Sequence, residues 1–129
     1  MATPQAQYEK MMDEYRKIQT DISTTIEARQ KLESQLQENK IVQKEFSILN
    51  EDSKIYKLIG PVLVPQDRSE AVMNVDKRLE FITSEIERVE NQIKATQLTS
   101  EKKRSEIMAF QAQLQESAAA AGGPAPIKA

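Results

Sequence analysis

The sequence predicts a mainly α-helical protein: a long antiparallel two-helix coiled coil joined by one β-hairpin. Three observations predict this fold. Apolar residues recur in steps of three and four along both halves of the chain, which is the pattern of a coiled-coil seam. The composition is 29% charged and only 5% aromatic, as is typical of coiled coils. A short β-like stretch, Ile55–Val64, lies between the two helical halves.

The first predicted helix covers residues 4–50 and begins at a capping residue. Thr3 can accept a hydrogen bond from the first turn, and Pro4 suits that turn because it needs no amide hydrogen there. The run from Asn50 to Ser53 favours local side-chain hydrogen bonds over helix and is expected to end the element. Nine positions between these limits follow the heptad pattern, and seven of the nine are apolar. They are Tyr8, Met11, Tyr15, Ile18, Ile22, Thr25, Arg29, Leu32 and Leu36.

The predicted β-hairpin covers residues 54–66. Gly60 relieves the steric limit at the bend, and Pro61 fixes its own φ while lacking a ladder donor, so the two residues are expected to form the turn. An isolated two-stranded hairpin is marginal in water, whereas burying its apolar side chains is worth on the order of 10 kcal/mol. An uncovered strand edge therefore predicts strand-to-strand assembly with other chains. The expected assembly residues are Ile55, Tyr56, Leu58, Ile59, Gly60, Val62, Leu63 and Val64.

The second predicted helix covers residues 67–117. Asp67 followed by Glu70 resembles a capping box at its start. Residues 118–129, rich in Ala and then in Gly and Pro, are expected to form a disordered tail. The helix has thirteen heptad positions, of which ten are apolar. They are Val72, Val75, Leu79, Ile82, Ile86, Val89, Ile93, Thr96, Ser100, Lys103, Ile107, Phe110 and Leu114.

Polar breaks in the two seams predict how the helices align. Thr25 and Arg29 interrupt the first seam, and Thr96, Ser100 and Lys103 interrupt the second. If the breaks face each other, residues whose numbers sum to about 125 lie in the same layer of the coiled coil. This register places Arg29 opposite Thr96.

The composition removes most kinds of enzyme chemistry. The chain has no cysteine and no histidine, which excludes disulfides, thiolate nucleophiles and imidazole acid–base catalysis, and removes the usual zinc ligands. Three glycines are too few and too scattered for a phosphate-binding loop. Crowded carboxylates such as Glu85, Glu87 and Glu90 are typical of a solvated helix face, since no pocket is indicated around them. We therefore predict no enzymatic activity, no cofactor and no metal.

Charge and hydropathy argue against nucleic acid and membrane partners. Eighteen basic and twenty acidic residues give a net charge of −2. The basic run Lys102-Lys103-Arg104 lies beside Glu101 and Glu106, so it is more typical of a solvated helix face than of a phosphate site. No apolar run approaches the ~20 residues of a membrane span, and the first residues lack the apolar core of a signal peptide. The expected location is the cytoplasm.

A second apolar cluster lies where the free ends of the two helices are expected to meet. Three of the six aromatic residues and three of the five methionines fall in it. Thioethers and amphipathic rings suit weak contacts with many partners, so the cluster is a candidate surface for such contacts. The alternative is that these side chains close the last turns of the coiled coil. Met12 and Met108 lie off the seams, which favours contact with a partner. The cluster consists of Tyr8, Met11, Met12, Tyr15, Met108, Phe110 and Leu114.

The run from Ile55 to Val64, followed by Lys77-Arg78-Leu79-Glu80-Phe81-Ile82, resembles the β class of prefoldin subunits. The resemblance covers nearly the whole chain, and its specific part is the hairpin with the start of the second helix. It implies a hetero-hexamer of α- and β-class subunits, whose hairpins form a double β-barrel body from which the coiled coils project.

It also implies an ATP-independent co-chaperone. Such a complex binds unfolded or nascent proteins, notably actin and tubulin, at the distal coiled-coil ends and delivers them to the cytosolic chaperonin. The alternative is a coiled-coil scaffold or tether in a multi-subunit complex that does not hold clients. The two hypotheses differ in whether the free helix ends bind non-native chains.

Overall fold

Two long helices and one β-hairpin make up the fold, in the predicted order. The structure is a computed structural model and describes residues 3–50 and 52–121. The predicted class, mainly helical with a single antiparallel hairpin, is confirmed. The elements are helix α1 over Pro4–Ile48, strand β1 over Ile55–Ile59, strand β2 over Val62–Gln66 and helix α2 over Arg68–Ala121.

Helix α2 is longer than its heptad pattern indicates. The predicted tail starts at residue 118, whereas α2 continues to Ala121. Alanine has the highest helix propensity, so the alanine run extends the helix without needing a packing partner. Residues 122–129 of the predicted tail lie outside the described residues.

Both predicted helix caps are present. Thr3 Oγ1 accepts a hydrogen bond from the Ala6 amide at 3.1 Å, and the Thr3 carbonyl accepts one from the Gln7 amide at 3.0 Å. Asp67 Oδ2 accepts one from the Glu70 amide at 3.3 Å. Each bond satisfies an amide that has no partner inside its own helix.

The hairpin has a two-residue turn. Ile59 pairs with Val62 across the antiparallel ladder, so Gly60 and Pro61 alone connect the strands. Gly60 has a φ of +57°, a left-handed conformation that glycine adopts without steric cost, as in turns with glycine at the first central position. The ladder ends at the pair Ile55–Gln66, within the predicted hairpin range of residues 54–66.

The chain divides into two compact units, which we call the terminal unit and the hairpin unit. The terminal unit comprises Met1–Ile26 and Gln92–Ala129, and the hairpin unit comprises Glu27–Asn91. Every predicted seam position is buried or half-buried, which confirms the two seams. Fully buried seam residues include Ile82, Ile86 and Val89 in the hairpin unit and Ile107 in the terminal unit.

The register within the hairpin unit differs from the predicted one. Arg29 Nη2 donates a hydrogen bond to Glu90 Oε1 at 2.7 Å, and Gln43 Nε2 donates one to Asp76 Oδ1 at 2.9 Å. The residue numbers of both pairs sum to 119. The expected pairing of Arg29 with Thr96 is therefore wrong.

The terminal unit shows the same difference within itself. Gln19 Nε2 donates a hydrogen bond to Ser100 Oγ at 2.6 Å, and Lys103 Nζ donates one to Glu14 Oε2 at 2.7 Å. These pairs sum to 119 and 117, nearly one heptad below the predicted 125. The polar breaks do not need to face each other, because each polar seam residue has another partner. Arg29, Ser100 and Lys103 bond polar side chains beside the seam, and the two threonines, Thr25 and Thr96, donate to carbonyls of their own helices.

Candidate functional site

The eight predicted assembly residues all lie in the hairpin unit, and we call them the hairpin surface. Ile55 is half-buried, and Gly60 is exposed at the turn. The other six are large side chains that remain between 38% and 67% exposed although they are apolar. They are Tyr56, Leu58, Ile59, Val62, Leu63 and Val64.

Both faces of the hairpin carry exposed apolar side chains. Alternation along the strands puts Leu58 and Leu63 on one face and Ile59 and Val62 on the other. Because the sheet has only two strands in the part of the chain that the structure describes, each strand also has one unpaired edge. A hairpin with two apolar faces and two free edges is suited to pairing with strands of other chains.

The helices of the hairpin unit do not pack tightly on strand β1. A cavity of about 410 Å³ lies between them, and we call it the hairpin cavity. Val42 and Phe46 of α1, Val75 of α2, and Ile55 and Leu58 of β1 are among its lining residues. Strand β1 is therefore held in place mainly by the chain segments at its two ends and by its hydrogen bonds to β2, and less by packing against the helices.

Arg68 is an important residue that the sequence analysis missed. Its Nη2 donates hydrogen bonds to the carbonyls of Phe46 and Leu49, both at 3.0 Å, and its Nη1 donates one to the Asn50 carbonyl at 3.1 Å. These carbonyls lie in the last turn of α1 and in the two residues after it, where the end of a helix leaves acceptors without partners and favours a cation. Arg68 thus ties the start of α2 to the end of α1 and positions both ends of the hairpin.

One signal in the sequence could have identified Arg68. The residue follows the N-cap Asp67 directly, at the positive end of the dipole of its own helix, where a cation is unfavourable. An arginine at such a position indicates a partner elsewhere in the fold.

The seven predicted client-binding residues all lie in the terminal unit, and we call them the terminal cluster. Met108 is 59% exposed. The other six are half-buried, including Met12, which was expected to be exposed because it lies off the seam. Tyr8 Oη accepts a hydrogen bond from Gln111 Nε2 at 2.8 Å. The cluster is thus packed in part between the helices and accessible in part to a partner.

A charged network lies in the seam of the same unit. Lys103 Nζ is 2.7 Å from Glu14 Oε2 and 3.5 Å from Glu106 Oε2. The hydrogen bond and the charge of Lys103 lower the pKa of Glu14 below its ordinary value of 4.5. The hydrogen bond to Glu14 raises the pKa of Lys103 above 10.5. Both groups stay charged at neutral pH, so the network holds the helices together and is not poised for proton transfer.

The described residues contain neither a candidate metal centre nor a helix that could span a membrane. Within residues 3–50 and 52–121, no group of three or more carboxylate side chains is placed to hold a metal ion. In the same part of the chain, no helix is both long and apolar enough to cross a bilayer.

Comparison with known proteins identifies the family to which this fold belongs. The sequence model of the family described as Prefoldin subunit matches residues 9–114. The chain is 55% identical over 94 residues to prefoldin subunit 6 of Saccharomyces cerevisiae, covering 73% of this chain and 82% of the yeast protein. It is 42% identical over 118 residues to prefoldin subunit 6 of Homo sapiens, covering 92% and 91%.

A solved structure has the same architecture. The crystal structure of the prefoldin beta subunit from Thermococcus strain KS-1 superposes with a TM-score of 0.73 at 21% sequence identity, covering 84% of this chain and 96% of the archaeal chain. The chain belongs to the prefoldin subunit family, as its resemblance to the β class predicted. Members of this family are subunits of a prefoldin chaperone complex and assemble with other prefoldin subunits.

Proposed function

We propose that this chain joins α- and β-class prefoldin subunits through its hairpin surface, within a cytoplasmic, ATP-independent, hexameric co-chaperone. The single observation that carries the proposal is the exposure of six large apolar side chains on a two-stranded hairpin. Their burial against other strands stabilises the assembled state by several kcal/mol. The free edges of both strands favour a shared β-barrel as the form of the assembly.

The terminal cluster is the proposed site for unfolded or nascent clients, with actin and tubulin as the expected examples. Its methionine and aromatic side chains are half-buried or exposed, so they offer an adaptable apolar surface without a defined pocket. Weak contacts of this kind hold a non-native chain and release it again without a chemical step. The proposed acceptor of the client is the cytosolic chaperonin.

The experiment that tests client holding replaces the terminal cluster in the assembled complex. Met12, Met108 and Phe110 are changed to serine, and the chain is reconstituted with the other prefoldin subunits. We expect an unchanged native mass but a several-fold weaker suppression of the aggregation of denatured actin, measured by light scattering. Met108→Ser alone, at an exposed position, is expected to show part of the effect without disturbing the coiled coil.

Leu98→Ser is the matched control. Leu98 is 70% exposed and lies in the same unit, but outside the terminal cluster. Its replacement is expected to leave client protection intact. If an intact complex that carries the triple variant protects actin fully, the terminal cluster is not the site that holds clients. A wild-type complex that gives no protection at all would favour the scaffold or tether.

A further inference from the structure

The segment of residues 77–82 carries a large apolar side chain that the coiled-coil seam does not bury. Leu79 and Ile82 occupy seam positions, and Ile82 is only 6% exposed. Phe81 lies between them, is 66% exposed and contributes little to the seam. A single exposed apolar side chain is common, but one that is continuous with an apolar groove marks a candidate surface for a partner.

Phe81 forms one wall of a groove in the hairpin unit. The groove has a volume of about 410 Å³, which is room for one or two bulky side chains. Its floor includes Ile82, which the seam holds in place, so the groove is formed before any partner arrives. We call it the basic groove, and its lining residues are Gln35, Asn39, Lys77, Arg78, Phe81 and Ile82.

The charge of the groove defines the chemistry of its occupant. Lys77 and Arg78 line it, and no carboxylate among the described residues does. Both cations are exposed, and neither takes part in an ion pair among the residues that the structure describes. An apolar floor flanked by two unpaired cations suits a bulky apolar side chain with aspartate or glutamate beside it.

The position of the groove indicates which chain supplies that segment. Arg78 lines the basic groove and also the hairpin cavity beside β1. A chain that pairs with the hairpin therefore comes within reach of the groove. We infer that the basic groove receives a segment of the prefoldin subunit that neighbours the hairpin. This segment carries a bulky apolar side chain with aspartate or glutamate beside it. This inference rests on the proposed assembly through the hairpin surface and adds a second contact, which selects the neighbour by charge.

Photo-cross-linking in the assembled complex tests the inference. A benzophenone amino acid at position 81 is expected to cross-link one neighbouring prefoldin subunit, at a peptide rich in aspartate or glutamate, identified by mass spectrometry. The matched control carries the same group at Leu98, which is similarly exposed on the same helix but lies beside both Lys94 and Glu101. The control is expected to give no subunit cross-link.

Substitutions measure the contribution of the groove to assembly. Phe81→Ser is expected to weaken incorporation of the chain into the complex about tenfold, as is typical when an anchor side chain is removed. The double change Lys77→Glu and Arg78→Glu is expected to weaken incorporation several-fold at low salt and less at high salt. Leu98→Ser is expected to have no effect.

The outcomes separate this inference from the proposed function. A complex that forms through the hairpin but shows no subunit cross-link from position 81 overturns the inference alone. A cross-link to a peptide without acidic residues, or salt-independent effects of the charge reversals, overturns the charge argument. A complex that still forms when Leu58 and Leu63 carry charges overturns the proposed assembly, and the inference with it.

Discussion

Lys103 shows how a single charged residue is accommodated in a coiled-coil seam. Its side chain is only 22% exposed, yet its ammonium group lies within 4 Å of two carboxylates, those of Glu14 and Glu106. The aliphatic stem can pack along the seam while the charged end is paired. The position was predicted from the heptad pattern, but its partner Glu14 was not, because Glu14 lies beside the seam instead of opposite it.

The Glu14–Lys103 pair predicts a dependence of stability on pH. The pKa of Glu14 is lower in the folded chain than in the unfolded chain, so the folded state binds fewer protons. The pair therefore contributes fully above about pH 4.5, and its contribution is lost as the pH falls through the lowered pKa.

We predict that acidification from about pH 6 to pH 3 lowers the melting temperature of the wild type more than that of Glu14→Gln, measured by circular dichroism. The difference is expected to be modest, because the pair is partly exposed. Glu101→Gln, an exposed carboxylate outside this network, is expected to behave as the wild type. Parallel curves for the wild type and Glu14→Gln would contradict the account.

At the scale of the elements, the sequence predicted which face of each helix is buried but not the register. A seven-residue pattern is nearly unchanged by a shift of seven residues, so periodicity alone cannot distinguish two registers. The connections supply the missing constraint. Residues 49–54 join α1 to β1, whereas Asp67 alone joins β2 to α2, and Arg68 bonds the end of α1. No local pattern in the sequence contains these long-range constraints.

Cysteine cross-linking tests the register within the terminal unit. The native chain has no cysteine, so an introduced pair is unique. We predict that Tyr8→Cys with Gln111→Cys, whose side chains are joined by a hydrogen bond of 2.8 Å, gives an intramolecular cross-link with a short reagent. Tyr15→Cys with Gln111→Cys shares one position and moves the other by one heptad, and it is expected to give background cross-linking. The opposite result would support the register that sums to about 125.

For the molecule as a whole, the described residues include two surfaces of the hairpin unit that expose apolar side chains. They are the hairpin surface and the basic groove. The hairpin surface could be predicted from the sequence. Two short strands lie between two long helices, and few other residues of the chain could cover the apolar side chains of these strands. The basic groove could not be predicted, because the heptad pattern places Phe81 off the seam but does not show that Gln35 and Asn39 of α1 complete a groove beside it. Likewise, the role of Arg68 is evident only from its hydrogen bonds to the carbonyls of Phe46 and Leu49.

Uncovered apolar surface predicts the behaviour of the isolated chain. We expect that the purified chain does not persist as a monomer at micromolar concentration, because association removes the hairpin from water. Analytical ultracentrifugation is expected to show self-association that disappears when the other prefoldin subunits are added. A well-folded monomer that does not associate over this range would contradict the prediction.

The most direct test of the central claim is the native mass of the complex after charges are placed on the hairpin. Leu58→Glu with Leu63→Glu, at side chains 67% and 63% exposed in the free chain, would bury two carboxylates in the proposed shared β core at a cost of several kcal/mol. Leu98→Glu, at a side chain 70% exposed on α2, is the matched control. We predict that native mass spectrometry finds the control in a complete hexamer and the hairpin variant outside it. A complete hexamer that contains the hairpin variant would contradict assembly through the hairpin.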